Sequence, residues 1–153
     1  MELSNILPPE RVLCGVNVTS KKRVLELASE LLSSHDKAGL QGVIFDSLIA
    51  RERLGSTGFG NGVAIPHGRV KNVTETMLLF IQLAKPIEYD AIDGKPVDLL
   101  FVLVVPEEST DEHLQILSQL AEMFSDKALC RALRECQDQH LLYALVTDWQ
   151  KNH

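Results

Sequence analysis

The stretch "GSTGFGNGVAIPHGR", from Gly55 to Arg69, sets one histidine behind four closely spaced glycines and a proline. An imidazole with an ordinary pKa of about 6.5 is largely neutral at pH 7 and nucleophilic through its unprotonated nitrogen. Pro66 fixes the backbone next to His67, and the surrounding glycines remove side-chain bulk, so a partner could approach closely. The same composition also suits a histidine that merely sits in a glycine-rich turn.

His113 adds to the first reading. It lies in the first turn of the helix expected over "STDEHLQILSQLAEMF" (Ser109–Phe124), and counting back from Ile116 and Leu117 puts it on that helix's apolar face. The helix starts just past the strand expected at Leu99–Val105. Open α/β sheets bind ligands at that carboxyl edge, and helix N-termini attract anions. The alternative is a hydrogen-bonded core histidine. Arg51 lies seven residues after Ile44 and three after Leu48, which the spacing assigns to the buried stripe of a second helix. A guanidinium near a helix C-terminus either snorkels to solvent or meets an anion. A nucleophilic imidazole, a second imidazole and a guanidinium converging on one site suit a phosphoryl group.

Other chemistries fit worse. The glycine loop lacks GK[ST] and runs helix–loop–strand, the reverse of a nucleotide P-loop. There is no HExxH, no GxSxG elbow, and no carboxylate spaced to complete a zinc site with the two histidines. His35, His140 and His153 fall at helix ends or the terminus and read as solvated. No metal or cofactor is expected.

These residues need a scaffold that alternates strands and helices. Strands are expected at Arg11–Val18, at "GVAIPH" ending on Pro66, at Thr74–Ala84 and at Pro96–Val105, with a turn at "AIDGKP". Helices are expected over Ser20–Ser34, with Ser20 as N-cap and Val24, Leu27, Ala28 and Leu31 inward, and over Leu40–Leu54, stopped by Gly55. Three more follow, at Ser109–Phe124, Ser125–Cys136 and Asp138–Trp149. The first of these has capping-box spacing between Ser109 and Glu112 and a stripe of Ile116, Leu117, Leu120, Ala121 and Phe124. The last turns Leu142, Leu145, Val146 and Trp149 inward. The expected fold is a layered α/β domain spanning residues 1–153.

The totals agree. The chain has 153 residues, 45% apolar and 24% charged, with a net charge of −6. This balance excludes the basic footprint that nucleic-acid binding needs. Cys14, Cys130 and Cys136 are odd in number and show no CxxC spacing, which favours buried free thiols in a reducing cytoplasm. "MELSNILPPERVL" has no basic region followed by an apolar stretch, so no signal peptide is expected, and "LLFVLVV" is far too short for a membrane span.

"RERLGSTGFGNGVAIPHGR" (Arg51–Arg69) resembles the signature of the fructose/mannitol-type enzyme IIA domains of the bacterial phosphoenolpyruvate-dependent phosphotransferase system. "EHLQILSQLAEMF" (Glu112–Phe124) resembles that family's second histidine block, and "ILPPERVL" and "TSKKRVLELASELL" resemble its nitrogen-regulatory branch. The resemblance covers nearly the whole chain. Phe59 stands where an aliphatic residue is often found.

The resemblance implies a mixed sheet flanked by helices on both faces. It implies that His67 accepts phosphate on Nε2 from an HPr-like phosphocarrier protein, that His113 orients or neutralises the phosphoryl group, and that Arg51 assists. The carrier would dock around Phe59, Gly60 and Asn61. Two functions follow. One is a regulator whose phosphorylation state is read by partners in nitrogen and potassium control, such as potassium-transport or sensor proteins. The other is a sugar-transport component that hands phosphate to a IIB domain. The absence of an attached IIB or transporter segment in this sequence favours the regulator, as does the N-terminal resemblance.

Overall fold

Long apolar runs make the strands at the centre of the molecule. The computed structural model describes residues 2–33, 39–109 and 111–149. Its strands are β1 (Val12–Val16), β2 (Gly58–Gly60), β3 (Val63–Ala64), β4 (His67–Val70), β5 (Met77–Ile87) and β6 (Val97–Pro106). Its helices are α1 (Lys21–Leu32), α2 (Leu40–Arg53), α3 (Asp111–Ser125), α4 (Lys127–Glu135) and α5 (Gln139–Trp149). Short 3-10 turns at Leu3–Asn5 and Pro9–Arg11 precede β1.

The six strands form one mixed sheet in the order β1-β5-β6-β3-β2, with β4 also paired to β6. β5 and β6 run antiparallel, whereas β1 on β5 and both β3 and β4 on β6 run parallel. β6 is covered on both faces, as expected for a strand that is almost continuously apolar. Its side chains alternate between two cores. Leu99, Phe101, Leu103 and Val105 pack with the N-terminal turns and α3, α4 and α5. Leu100, Val102 and Val104 pack with α1 and α2. The result is the expected three-layer arrangement, a mixed sheet flanked by helices on both faces.

Local signals account for the helix ends. Ser20 Oγ accepts the Arg23 N–H at 3.1 Å, as its N-cap position predicts. Asp126, rather than a residue inside the helix, caps α4 by accepting the Leu129 N–H at 3.1 Å. The buried face of α1 is Val24, Leu25, Ala28, Ser29 and Leu32, so Leu27 and Leu31 lie at its margin. In α5 only Leu142 and Val146 are fully buried, with Leu145 and Trp149 packed beside them.

Three sequence expectations change. His67 does not end a loop after a strand; it opens β4. The Val63–Val70 segment runs along β6 as two short strands, broken at Ile65–Pro66 because Pro66 has no N–H to continue the ladder, although its carbonyl still accepts the Leu103 N–H at 2.9 Å. The Ser109–Glu112 capping box does not form. α3 begins at Asp111, and the Glu112 carboxylate instead accepts the Thr76 hydroxyl at 3.2 Å. The glycine loop is largely a β-hairpin. β2 and β3 pair antiparallel across Asn61–Gly62, whose φ values of 59° and 81° suit a type I′ turn. Of the cysteines, Cys130 is buried and Cys14 and Cys136 are half-buried, all three as free thiols. His140 is exposed; His35 and His153 lie outside the described residues.

Candidate functional site

Register decides where His67 points. His67 pairs with Leu103, Gly68 with Val104 and Arg69 with Val105. Side chains aligned on parallel strands share a face, so His67 and Arg69 face the α3 layer and Gly68 faces α2. His113, in the first turn of α3, meets them from above. The two imidazoles lie edge to face, with ring centroids 5.5 Å apart and planes inclined by 68°.

The His67 ring is oriented by its own backbone. Nδ1 lies 2.8 Å from the Ile65 carbonyl oxygen. A carbonyl only accepts, so Nδ1 carries the proton and Nε2 keeps its lone pair. Burial holds His67 below the ordinary histidine value; the Ile65 hydrogen bond opposes that shift, the Arg51 charge adds to it and the Glu52 charge opposes it. His113 is also lowered, first by burial and then by the charges of His67 and Arg69. Both rings are therefore neutral at pH 7. His113 is only 6% exposed, and its Nδ1 has no hydrogen-bond partner among the described residues. A buried polar atom left unpaired is costly, and this one lies on the ring that faces His67.

Arg51 corrects the sequence expectation. The buried stripe of α2 is Ile44, Leu48 and Glu52, spaced by four, so the inward position at the helix end belongs to Glu52. Arg51 is half-buried and donates from Nη1 to the Gly55 carbonyl at 2.9 Å, closing the helix C-terminus onto the loop that follows. Its charge still acts on His67, and four of its five N–H donors remain beyond that bond. His67 and His113 are thus brought together, and Arg51 acts on His67 through its field.

The hairpin rim carries the other expected residues. Phe59 is 37% exposed and leans on Phe124, with ring centroids 6.1 Å apart, at the outer end of a ladder through Phe101 to Phe80. Asn61 donates its N–H to Asp93 Oδ2 at 2.9 Å, and its carbonyl accepts Arg134 Nη2 at 2.6 Å. Gly58 is needed because a Cβ there would stand 2.9 Å from the Ala91 methyl. Among the described residues no cluster of three or more His, Cys, Asp or Glu side chains is placed to hold a metal ion.

Sequence reasoning missed Glu52, Thr57, Tyr89 and Lys21, which form one polar group beneath the loop, and Arg69, which shares the face of His67. Counting eight residues from Ile44, instead of seven, would have found Glu52. The Asn61–Gly62 pair is itself a strong hairpin signal.

Fold and site together define a three-layer α/β/α protein with a paired-histidine site at the end of a glycine hairpin. Residues 5–149 match the family described as "Phosphoenolpyruvate-dependent sugar phosphotransferase system, EIIA 2", and the chain belongs to that family. It is 45% identical to a nitrogen regulatory protein of Escherichia coli, over 97% of this chain and 91% of that one. It is also 45% identical to one of Pseudomonas aeruginosa, over 98% and 97% respectively. The crystal structure of nitrogen regulatory protein IIA-Ntr from Neisseria meningitidis superposes with a TM-score of 0.88 at 43% identity, covering 95% of this chain and 99% of that one. No described helix is long and apolar enough to cross a membrane.

Proposed function

We propose that this chain is a nitrogen-regulatory phosphotransferase protein that takes a phosphoryl group onto Nε2 of His67 from a phosphohistidine of a small phosphocarrier protein. Nε2 attacks phosphorus, the new N–P bond forms as the donor's N–P bond breaks, and the donor imidazole leaves with its electron pair. Positive charge develops on the His67 ring, and the Ile65 carbonyl, already accepting Nδ1–H, stabilises it. Phosphoryl transfer asks a protein mainly for positioning and charge stabilisation. The unpaired Nδ1 of His113 carries this reading: a phosphoryl oxygen would supply the partner that the buried ring lacks. Arg51 offers its remaining N–H groups to the same oxygens.

Phosphate brings about −1.5 to −2 charges to this face, enough to change which partners bind it. The likeness to nitrogen regulatory proteins supports a regulatory role over relay to a sugar-specific IIB domain; we assign that role to the cytoplasm, with targets in nitrogen or potassium metabolism. The test is incubation with the general phosphotransferase components and phosphoenolpyruvate. One acid-labile, base-stable phosphate per chain is expected, and His67→Ala abolishes it while the far-ultraviolet circular dichroism stays unchanged. Undiminished labelling of that variant would move the acceptor elsewhere.

A further inference from the structure

Glu52 is a carboxylate inside the protein, 8% exposed, at the end of the apolar stripe of α2. A buried charge persists only when paired and hydrogen-bonded. Here Lys21 Nζ, from the first residue of α1, donates to Glu52 Oε1 at 2.8 Å. The Thr57 N–H donates to the same oxygen at 3.2 Å, and the Thr57 hydroxyl donates to Oε2. The Tyr89 hydroxyl, 3.2 Å from Thr57 Oγ1 and also hydrogen-bonded with Glu52, donates its one proton within this group. Tyr89 can do so at any physiological pH, since burial and the Glu52 charge push its phenol well above the ordinary value.

The chain of bonds continues to the reactive ring. Thr57 stands at the root of the glycine hairpin, and its carbonyl accepts the Ile65 N–H at 3.1 Å across the hairpin's base. The Ile65 carbonyl accepts Nδ1–H of His67 at 2.8 Å. Every link from the carboxylate to the imidazole is thus a hydrogen bond: Glu52 to Thr57, Thr57 to Ile65, Ile65 to His67. Nothing else among the described hydrogen bonds ties the His67 ring to the scaffold.

We infer that Glu52, pinned by Lys21, is the positioning residue for the acceptor imidazole: through Thr57 and Ile65 it fixes the ring that presents Nε2. The inference rests on His67 being the acceptor. Its geometry also places a negative charge where it favours the cationic ring that forms as Nε2 bonds phosphorus, and the Glu52 charge already acts on His67 in that sense. The carboxylate touches neither phosphate nor carrier; it acts through the hairpin.

The experiment compares Glu52→Gln, Thr57→Val and Thr57→Ser with the parent. Two quantities are read: the phosphorylation rate at varied concentrations of phosphorylated carrier, and the His67 ring-nitrogen resonances, which report the tautomer. Loss of near-attack geometry by an ångström is worth about 100-fold in rate, so Glu52→Gln and Thr57→Val should lower kcat roughly 10- to 100-fold with the carrier KM little changed. Both should also mix the His67 tautomers. Thr57→Ser, which keeps the hydroxyl, should recover most of the rate and the single tautomer. If Glu52→Gln and Thr57→Val keep the parent's kcat and ring resonances, Glu52 serves stability alone and the inference is overturned. Failure of the parent itself to take phosphate at His67 would overturn the acceptor assignment instead. The ring resonances would then still decide whether Glu52 sets the tautomer.

Discussion

His67 and His113 lie edge to face with 5.5 Å between ring centroids, although one opens a strand and the other sits in the first turn of a helix 46 positions further on. The sheet register turns the first toward α3, and the apolar stripe of α3 turns the second toward the sheet. The pair is a product of the layer architecture.

Removing the second ring should separate its chemistry from its packing. His113→Ala should slow phosphoryl transfer by an amount typical of losing one preorganised donor, about 2.7–4 kcal/mol of transition-state stabilisation. Arg51→Ala should slow it similarly or less, since Arg51 also closes the end of α2 onto Gly55. Quench-flow measurement of phosphate gained from the carrier checks both. Normal rates in both variants would leave these residues with structural roles only.

Acceptance should fall in acid with a midpoint below the ordinary histidine value of 6.5, because burial lowers His67 and only its neutral form attacks. The same shift affects stability. In the interval between the lowered folded pKa and 6.5 the unfolded chain binds more protons at His67 and His113 than the folded one. Their contribution is therefore fully present above 6.5 and is lost as pH falls through the folded values. Urea midpoints measured across this range should decline toward acid, and less steeply in His113→Ala.

Phe59 should matter to docking more than to folding. Its ring stands 37% exposed on the hairpin rim, in contact with Phe124 below. Aromatic residues are enriched at interfaces, and a carboxylate there would be desolvated in the contact. Phe59→Asp should raise the carrier concentration needed for half-maximal phosphorylation, with a small change in melting temperature. A large fall in melting temperature with unchanged carrier dependence would place the docking surface elsewhere.

Phosphorylated protein mixed with a fructose- or mannitol-specific IIB partner and the sugar should yield little sugar phosphate. Fast, stoichiometric transfer, followed by chromatography of labelled sugar, would favour the transport reading over the regulatory one.

Much of this was legible in the sequence. Ser20 capped α1 as its type demands, the β6 run was apolar enough to be buried on both faces, and three-and-four counting put His113 inward. What escaped has physical reasons. On α2 the residues seven and eight after Ile44 are only 100° apart, so Arg51 and Glu52 compete for the inward position, and only the partners Lys21 and Thr57 decide between them. Lys85 and Pro86 look like the end of a strand, yet β5 carries them within the irregular stretch between Gln82 and Ile87. Ser109 and Glu112 have capping-box spacing, but the helix begins at Asp111 and Glu112 turns to Thr76, a residue 36 positions earlier.

Gly68 faces α2 at a place where any Cβ would collide with Ser47, whose hydroxyl donates to the Arg69 carbonyl at 2.9 Å. One helical turn beyond Ser47 come Arg51 and Glu52. The missing side chain at position 68 therefore works as a fulcrum: it sets the clearance between a strand and a helix, and through that rigid lever the position of a guanidinium and a carboxylate relative to the histidine on the sheet's other face. Gly68→Ala would cost about 1–3 kcal/mol as overpacking. Its more telling effect would be kinetic, a slowed transfer in a protein whose every reactive group is still present.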